Sequence, residues 1–166
     1  HEGACVACTP AEDALCTAET PYCDPGTFSC APCSYHEHCP DSACNPFTGA
    51  CLDAVPETVG PGETHADLGA AFGTVSAGAE AVFRVAPTGG QPYVGLNVNN
   101  NRVIALLADG GRPEVAGIGG DPTFQVAAGS TLLLANLDLR LNGNAVGLQT
   151  AGLVALDAVE IASNNG

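Results

Sequence analysis

From about residue 80 onward the chain consists of short apolar alternations cut by Gly, Asn and Asp, the pattern of brief strands joined by tight turns. Self-similarity sharpens that pattern. A shift of 22 residues carries Leu132 onto Val154, Leu134 onto Leu156, Leu137 onto Val159, Leu139 onto Ile161 and Asn142 onto Asn164. The same shift carries Phe124 onto Val146 and Val126 onto Leu148. Several tiny strands in each such period predict a parallel β-helix, whose coils bury their inner faces only by stacking into one shared apolar column. Leu132, Leu134, Val154 and Leu156 are expected in that column, with Asn142 and Asn164 marking one turn as a side-chain amide ladder. An antiparallel β-sandwich is the structural alternative, but it predicts hairpins rather than an in-register repeat. Leucine-rich repeats share the period but require a helical segment in each repeat, which is missing. Upstream, 64–78 places Leu68, Phe72 and Val75 at helical spacing. A short helix there would cover the open end of the first coil, weakened by Gly69 and Gly73.

The first third of the chain has different chemistry. All nine cysteines lie between Cys5 and Cys51, whereas the four arginines (Arg84, Arg102, Arg112, Arg140) all lie beyond residue 80. The boundaries expected are a Cys-rich module at 1–54, a Pro- and Gly-punctuated linker at 55–63, and a β-helix domain at 64–166 that continues past the last residue. Within the module, Cys23-Asp24-Pro25-Gly26-Thr27-Phe28-Ser29-Cys30 repeats as Cys44-Asn45-Pro46-Phe47-Thr48-Gly49-Ala50-Cys51. The Asx-Pro step favours a turn, since Pro fixes φ and the Asx side chain can bond the backbone beyond it. Each unit holds four cysteines: Cys8, Cys16, Cys23 and Cys30, then Cys33, Cys39, Cys44 and Cys51. Segments this short have almost no core of their own and need covalent staples. Four cysteines allow three pairings. First-to-third with second-to-fourth is preferred for compactness, giving Cys8–Cys23, Cys16–Cys30, Cys33–Cys44 and Cys39–Cys51. Cys5 is left over, and Gly3-Ala4-Cys5 matches Gly49-Ala50-Cys51, so it reads as the last cysteine of an earlier unit, unpaired or bonded between molecules.

Charge excludes two partner classes. The net charge is −14, with no Lys, so neither nucleic acid nor an anionic membrane finds cations to meet it. No apolar run reaches the length of a membrane span.

Candidate chemistry is sparse. The two CxxC pairs, Cys5/Cys8 and Cys30/Cys33, have a zinc-like spacing, but the repeat accounts for all the cysteines and zinc does not. His1 at the first position, with a second His on a sandwich face, would suggest copper, yet nothing around His36, His38 or His65 supplies that face. His36 and His38 alternate in sequence and would hold a metal on one side. On the solenoid, Asp138 and Glu160 fall in one outward column that suits calcium, with Asp157 on another strand edge and Arg140 nearby as a lyase-type base. The plainer reading is that outward strand positions are polar. No nucleophile elbow, phosphate loop or zinc-protease helix occurs, and no acid–base pair stands out. An enzyme is not expected, and no cofactor beyond calcium is suggested.

The Cys-Asx-Pro…Cys repeats of residues 5–51, together with the stretch 81–166 (notably Gly110-Gly111-Arg112-Pro113 and Leu137-Asp138-Leu139), resemble the secreted or surface proteins of myxobacteria and related bacteria. Those proteins join Cys-rich repeats to a right-handed parallel β-helix. The resemblance implies an all-β fold of that kind at the bacterial surface and leaves function open, because the fold hosts lyases, adhesins and passive fibres alike. The function expected is an extracellular structural or adhesive protein, a disulfide-stapled stalk carrying a β-solenoid. The alternative is a β-helix that binds or cleaves carbohydrate, disfavoured by only three Tyr and no Trp as sugar platforms. Cell-surface or matrix polysaccharide is the matching partner. The unmatched Cys5 and the turn at Asn164, Asn165 and Gly166 further suggest a longer chain that assembles head to tail into a filament.

Overall fold

The structure, a computed structural model, describes residues 8, 16–17, 19–119, 121–141 and 147–163. The chain divides into two compact units, His1–Asp53 and Ala54–Gly166.

In the first unit each repeat closes as an antiparallel hairpin. Strand β1 (Tyr22–Asp24) pairs with β2 (Ser29–Ala31), and β3 (Cys44–Asn45) pairs with β4 (Ala50–Cys51), with Cys23 opposite Cys30 and Cys44 opposite Cys51. The Asx side chain sets both turns. Asp24 Oδ1 accepts from Gly26 N at 2.8 Å, and Asn45 Oδ1 accepts from Phe47 N at 3.1 Å. Four residues past the Asx the backbone turns left-handed in both units, at Phe28 (φ 52°) and Gly49 (φ 76°). Each hairpin cysteine is bonded to the segment before it: Cys8–Cys23, Cys16–Cys30, Cys33–Cys44 and Cys39–Cys51, with Cα separations of 5.5–5.9 Å. Both units therefore have the crossed pattern. Cys5 lies outside the described residues.

The second unit is a parallel β-helix whose strands sort into three sheets. Sheet 1 stacks β5 (Glu57–Val59), β6 (Glu80–Val85), β9 (Val103–Ala108), β12 (Thr131–Ala135) and β15 (Leu153–Asp157). Sheet 2 stacks β7 (Tyr93–Val94), β10 (Glu114–Ala116), β13 (Asp138–Leu141) and β16 (Glu160–Ser163), and sheet 3 stacks β8 (Asn97–Val98), β11 (Phe124–Val126) and β14 (Leu148–Thr150). Every ladder in these sheets is parallel. In sheet 1 Phe83, Leu106, Leu134 and Leu156 lie in register, and so do Ala81, Ile104, Leu132 and Val154. The column is dry in the middle coils and opens in the outermost one, where Leu134 is 0% and Leu156 46% exposed. Val82, Ala105 and Leu133, on the opposite face of sheet 1, are buried too, so these strands read as unbroken apolar runs.

Two sequence expectations need correction. The first concerns the stretch 55–63, which is not merely a linker. Glu57–Val59 forms β5 and pairs in parallel with β6, because Thr58 and Val59 suit a strand and Val59 is fully buried against the first coil. The second concerns the 22-residue shift, which holds for the pairs β12–β15 and β13–β16 but not for the earlier coils of sheet 1, where the offsets are 26, 23 and 28 residues, nor for sheet 3. Phe124 pairs with Leu148 and Val126 with Thr150, a shift of 24, so Val126 does not stack on Leu148 and Phe124 does not fall on Val146. Turn length is the cause: four residues (127–130) join β11 to β12, and only two (151–152) join β14 to β15. Gly152 permits the shorter turn, since a Cβ there would overlap the carbonyl oxygens of Ala127 and Ser130. The difference is even, so inward and outward positions keep their faces. Val146 itself, Asn142 and Asn164 lie outside the described residues.

Helix α1 (Leu68–Thr74) is capped by Asp67, whose side chain accepts from Ala70 N at 2.8 Å. It lays Leu68, Ala71 and Phe72 onto the core, with the Phe72 and Phe83 rings stacked 5.9 Å apart. That contact covers one end of the column. Tyr93 ties the same end together: its hydroxyl donates to the Ala86 carbonyl at 2.7 Å and lies 3.3 Å from that of Val59.

Two outcomes test this architecture. Leu134→Asp places a charge without a partner in the dry column, costing several kcal/mol. The solenoid should fail to fold by circular dichroism and thermal melting, and a stable variant with an unchanged spectrum would refute the inward position. Burial first, then the negative charge of Glu63, raises the ionisation of Tyr93 above its ordinary 10.0. The stability from a raised group is whole below the unfolded value and disappears as pH climbs through the native one. Tyr93→Phe should therefore cost about 1 kcal/mol at neutral pH and remove the alkaline step from a melting-temperature series taken above pH 9.

Candidate functional site

Two of the histidines, His36 and His38, serve the module's own backbone. His36 and His38 lie on a 3-10 turn (His36–His38), not on a strand. Three residues per turn set positions i and i+2 about 120° apart, so the two rings do not share a face. His36 Nδ1 accepts from Cys44 N, and His38 Nδ1 from Ser34 N, each at 3.2 Å. The His38 ring also stacks on Tyr22, with centroids 3.7 Å apart, and meets Tyr35 edge-on. In the second unit His65 pairs with Glu57 through Nε2. His1 lies outside the described residues. The sulfurs of Cys8, Cys16 and Cys30, and those of Cys33, Cys39 and Cys44, crowd together because crossed disulfides bring them there. A disulfide sulfur has no thiolate to offer a metal.

The outward face of sheet 2 carries the acidic column. Glu114, Asp138 and Glu160 lie in register on β10, β13 and β16, one carboxylate more than the sequence repeat revealed. The column is not bare. Arg112 Nε donates to Asp138 at 2.8 Å, its Nη2 lies 3.7 Å from Glu160, and Arg140 pairs with Glu114. Calcium at Asp138 and Glu160 would have to compete with the Arg112 guanidinium. Half-exposed pairs of this kind are worth about 0–1 kcal/mol each. Asp157 ends β15 in sheet 1 and belongs to no such column. Asn164, Asn165 and Gly166 lie outside the described residues.

A neutral polar column on sheet 3 escaped the sequence reading. Asn97, Gln125 and Gln149 are in register on β8, β11 and β14, all three exposed, and Gln125 Nε2 donates to Gln149 Oε1 at 2.7 Å. Asn97 and Gln125 border two hollows at once. One, about 240 Å³, is lined further by Val94, Leu96, Ile118 and Asp121; the other, about 370 Å³, by Ala127, Gln149 and Thr150. Gly95 lets the chain bend beside the first, because a Cβ there would overlap the Thr123 carbonyl. The amide types were legible, but spacings of 28 and 24 residues hid the column from a search at 22.

These features define a chain of two parts, a disulfide-closed repeat module followed by a parallel β-helix of about four turns. Over residues 1–57 it matches a family of unknown function (DUF8331). No curated protein and no solved structure matches it. Four disulfides among the described residues fit an oxidising, extracellular setting. No described helix is long and apolar enough to cross a membrane.

Asp24 gives the module a pH signature. The Gly26 N–H, then the Thr27 hydroxyl, hold its carboxyl below the ordinary 3.8. A depressed group contributes stability that is whole above the unfolded value and lost as pH falls through the native one. Asp24→Asn, which keeps the Asx acceptor as Asn45 does in the second unit, should flatten the acid side of a melting-temperature series as pH falls below the ordinary 3.8 while leaving the neutral value nearly unchanged.

Proposed function

We propose that this protein is an extracellular structural protein of the adhesive kind, at the cell surface or in the matrix, in which the stapled repeats act as a stalk and the β-solenoid presents its faces to a partner. One observation carries the reading: the fold is fastened by eight oxidised cysteines and a stacked column, while the carboxylates that would serve a lyase are engaged by Arg112 and Arg140. Self-association belongs to this reading. Leu153, Leu156 and Ile161, on the outermost described strands of sheets 1 and 2, are 46–50% exposed, and α1 covers the opposite end. Self-association, head to tail as an open filament in the form this reading takes, would bury these side chains.

The test uses the oxidised full chain, assayed for unsaturated sugars released from acidic polysaccharides with calcium and sedimented over a concentration series. The expected results are no release and a concentration-dependent increase in mass that Leu156→Glu abolishes. Sustained release of unsaturated product would overturn the reading in favour of a lyase.

A further inference from the structure

The amide column of sheet 3 differs in chemistry from the ionic column of sheet 2. Among the described residues, Asp121 is the only charged one lining either of its hollows. A polyanion is repelled by a chain of net charge −14, and a polycation would find a single carboxylate. The face suits a neutral ligand. Each carboxamide offers two N–H donors and a carbonyl acceptor in one plane, which fits a ligand whose own groups both donate and accept, as hydroxyls do. Val94 and Ile118, 46% and 63% exposed, add apolar surface beside the column. Parallel stacking repeats the amides every ~4.8 Å along the solenoid axis, about the length of one sugar ring in an extended chain.

We propose that this face binds a neutral, extended polysaccharide laid along the solenoid axis, its hydroxyls on Asn97, Gln125 and Gln149 and the C–H face of one ring on Ile118. The proposal deepens the adhesive reading above and rests on it, by naming the partner that adhesion would require. Gln125 and Gln149 already bond each other, so the ligand meets an ordered pair whose rotamers are set before it arrives, which lowers the cost of binding.

The test is affinity electrophoresis of the oxidised full chain through gels containing xylan, a mixed-linkage β-glucan or a galactomannan, with polygalacturonate as the acidic comparison. At least one neutral glycan should retard the protein. The double variant Gln125→Ala/Gln149→Ala should weaken that retardation about tenfold or more, Ile118→Ala should weaken it less, and Arg112→Gln, on the other sheet, should leave it unchanged. Circular dichroism of each variant separates lost binding from lost fold. Retardation by a neutral glycan that the double variant leaves intact overturns this site while the adhesive reading stands. Retardation by polygalacturonate alone overturns the neutral class. Failure of every glycan to retard the protein overturns the site and leaves the structural reading to its own sedimentation and release assays.

Discussion

No coil of this solenoid can bury its inner side chains by itself, and the whole second unit follows from that. A strand of two to six residues presents one to three inward groups, and only the coil above and the coil below remove them from water. Phe83, Leu106 and Leu134 share one line for this reason, and parallel ladders hold them there. The turns between strands are left to vary, from two residues between β14 and β15 to seven between β6 and β7. The ends of such a stack are its weak points. One is met by α1, whose Phe72 continues the aromatic line from Phe83. In the outermost described coil the apolar side chains remain half-exposed.

The module solves the same shortage of core by covalent means. Its apolar interior is chiefly cystine, with Cys33, Cys39 and Cys44 forming a cluster of their own. What remains is hydrogen-bonded locally: Asx oxygens hold the hairpin turns, Ser42 Oγ donates to the Leu52 carbonyl at 2.7 Å, and two imidazoles accept backbone N–H groups. Each of these bonds contributes modestly. Their role is to set the geometry that brings the correct sulfurs within bonding reach.

Much of this was legible in residues. The 22-residue echo of Leu132 in Val154 and of Leu134 in Leu156 states a parallel stack, and the Cys-Asx-Pro repeat states two equivalent hairpins. Leu68, Phe72 and Val75 mark the capping helix. Three features were not legible, each for a physical reason. Strand β5 is three residues long, too short to show a period between Pro56 and Gly60. The register of sheet 3 depends on turn lengths that composition does not encode. The arginines that meet the acidic column come from different places relative to it: Arg112 lies just ahead of β10, whereas Arg140 sits within β13 beside the residues that made the column visible. Reading the carboxylates without their counter-ions made calcium look simpler than it is.

The crossed disulfides have a consequence for breakage. From Cys8 to Cys30 every peptide bond is spanned by Cys8–Cys23, by Cys16–Cys30, or by both, and the same holds from Cys33 to Cys51. Sequential pairing within each unit would have left the middle segment outside any loop. A protease that makes one cut inside either unit thus opens a loop but releases no fragment, and the two ends stay tethered through sulfur. Between Cys8 and Cys51, only the junction through Ala31 and Pro32 is outside every loop, and Pro32 makes one of its bonds a poor substrate. Enzymes that cleave after basic residues find none before Arg84. A module closed this way can be nicked and still hold together.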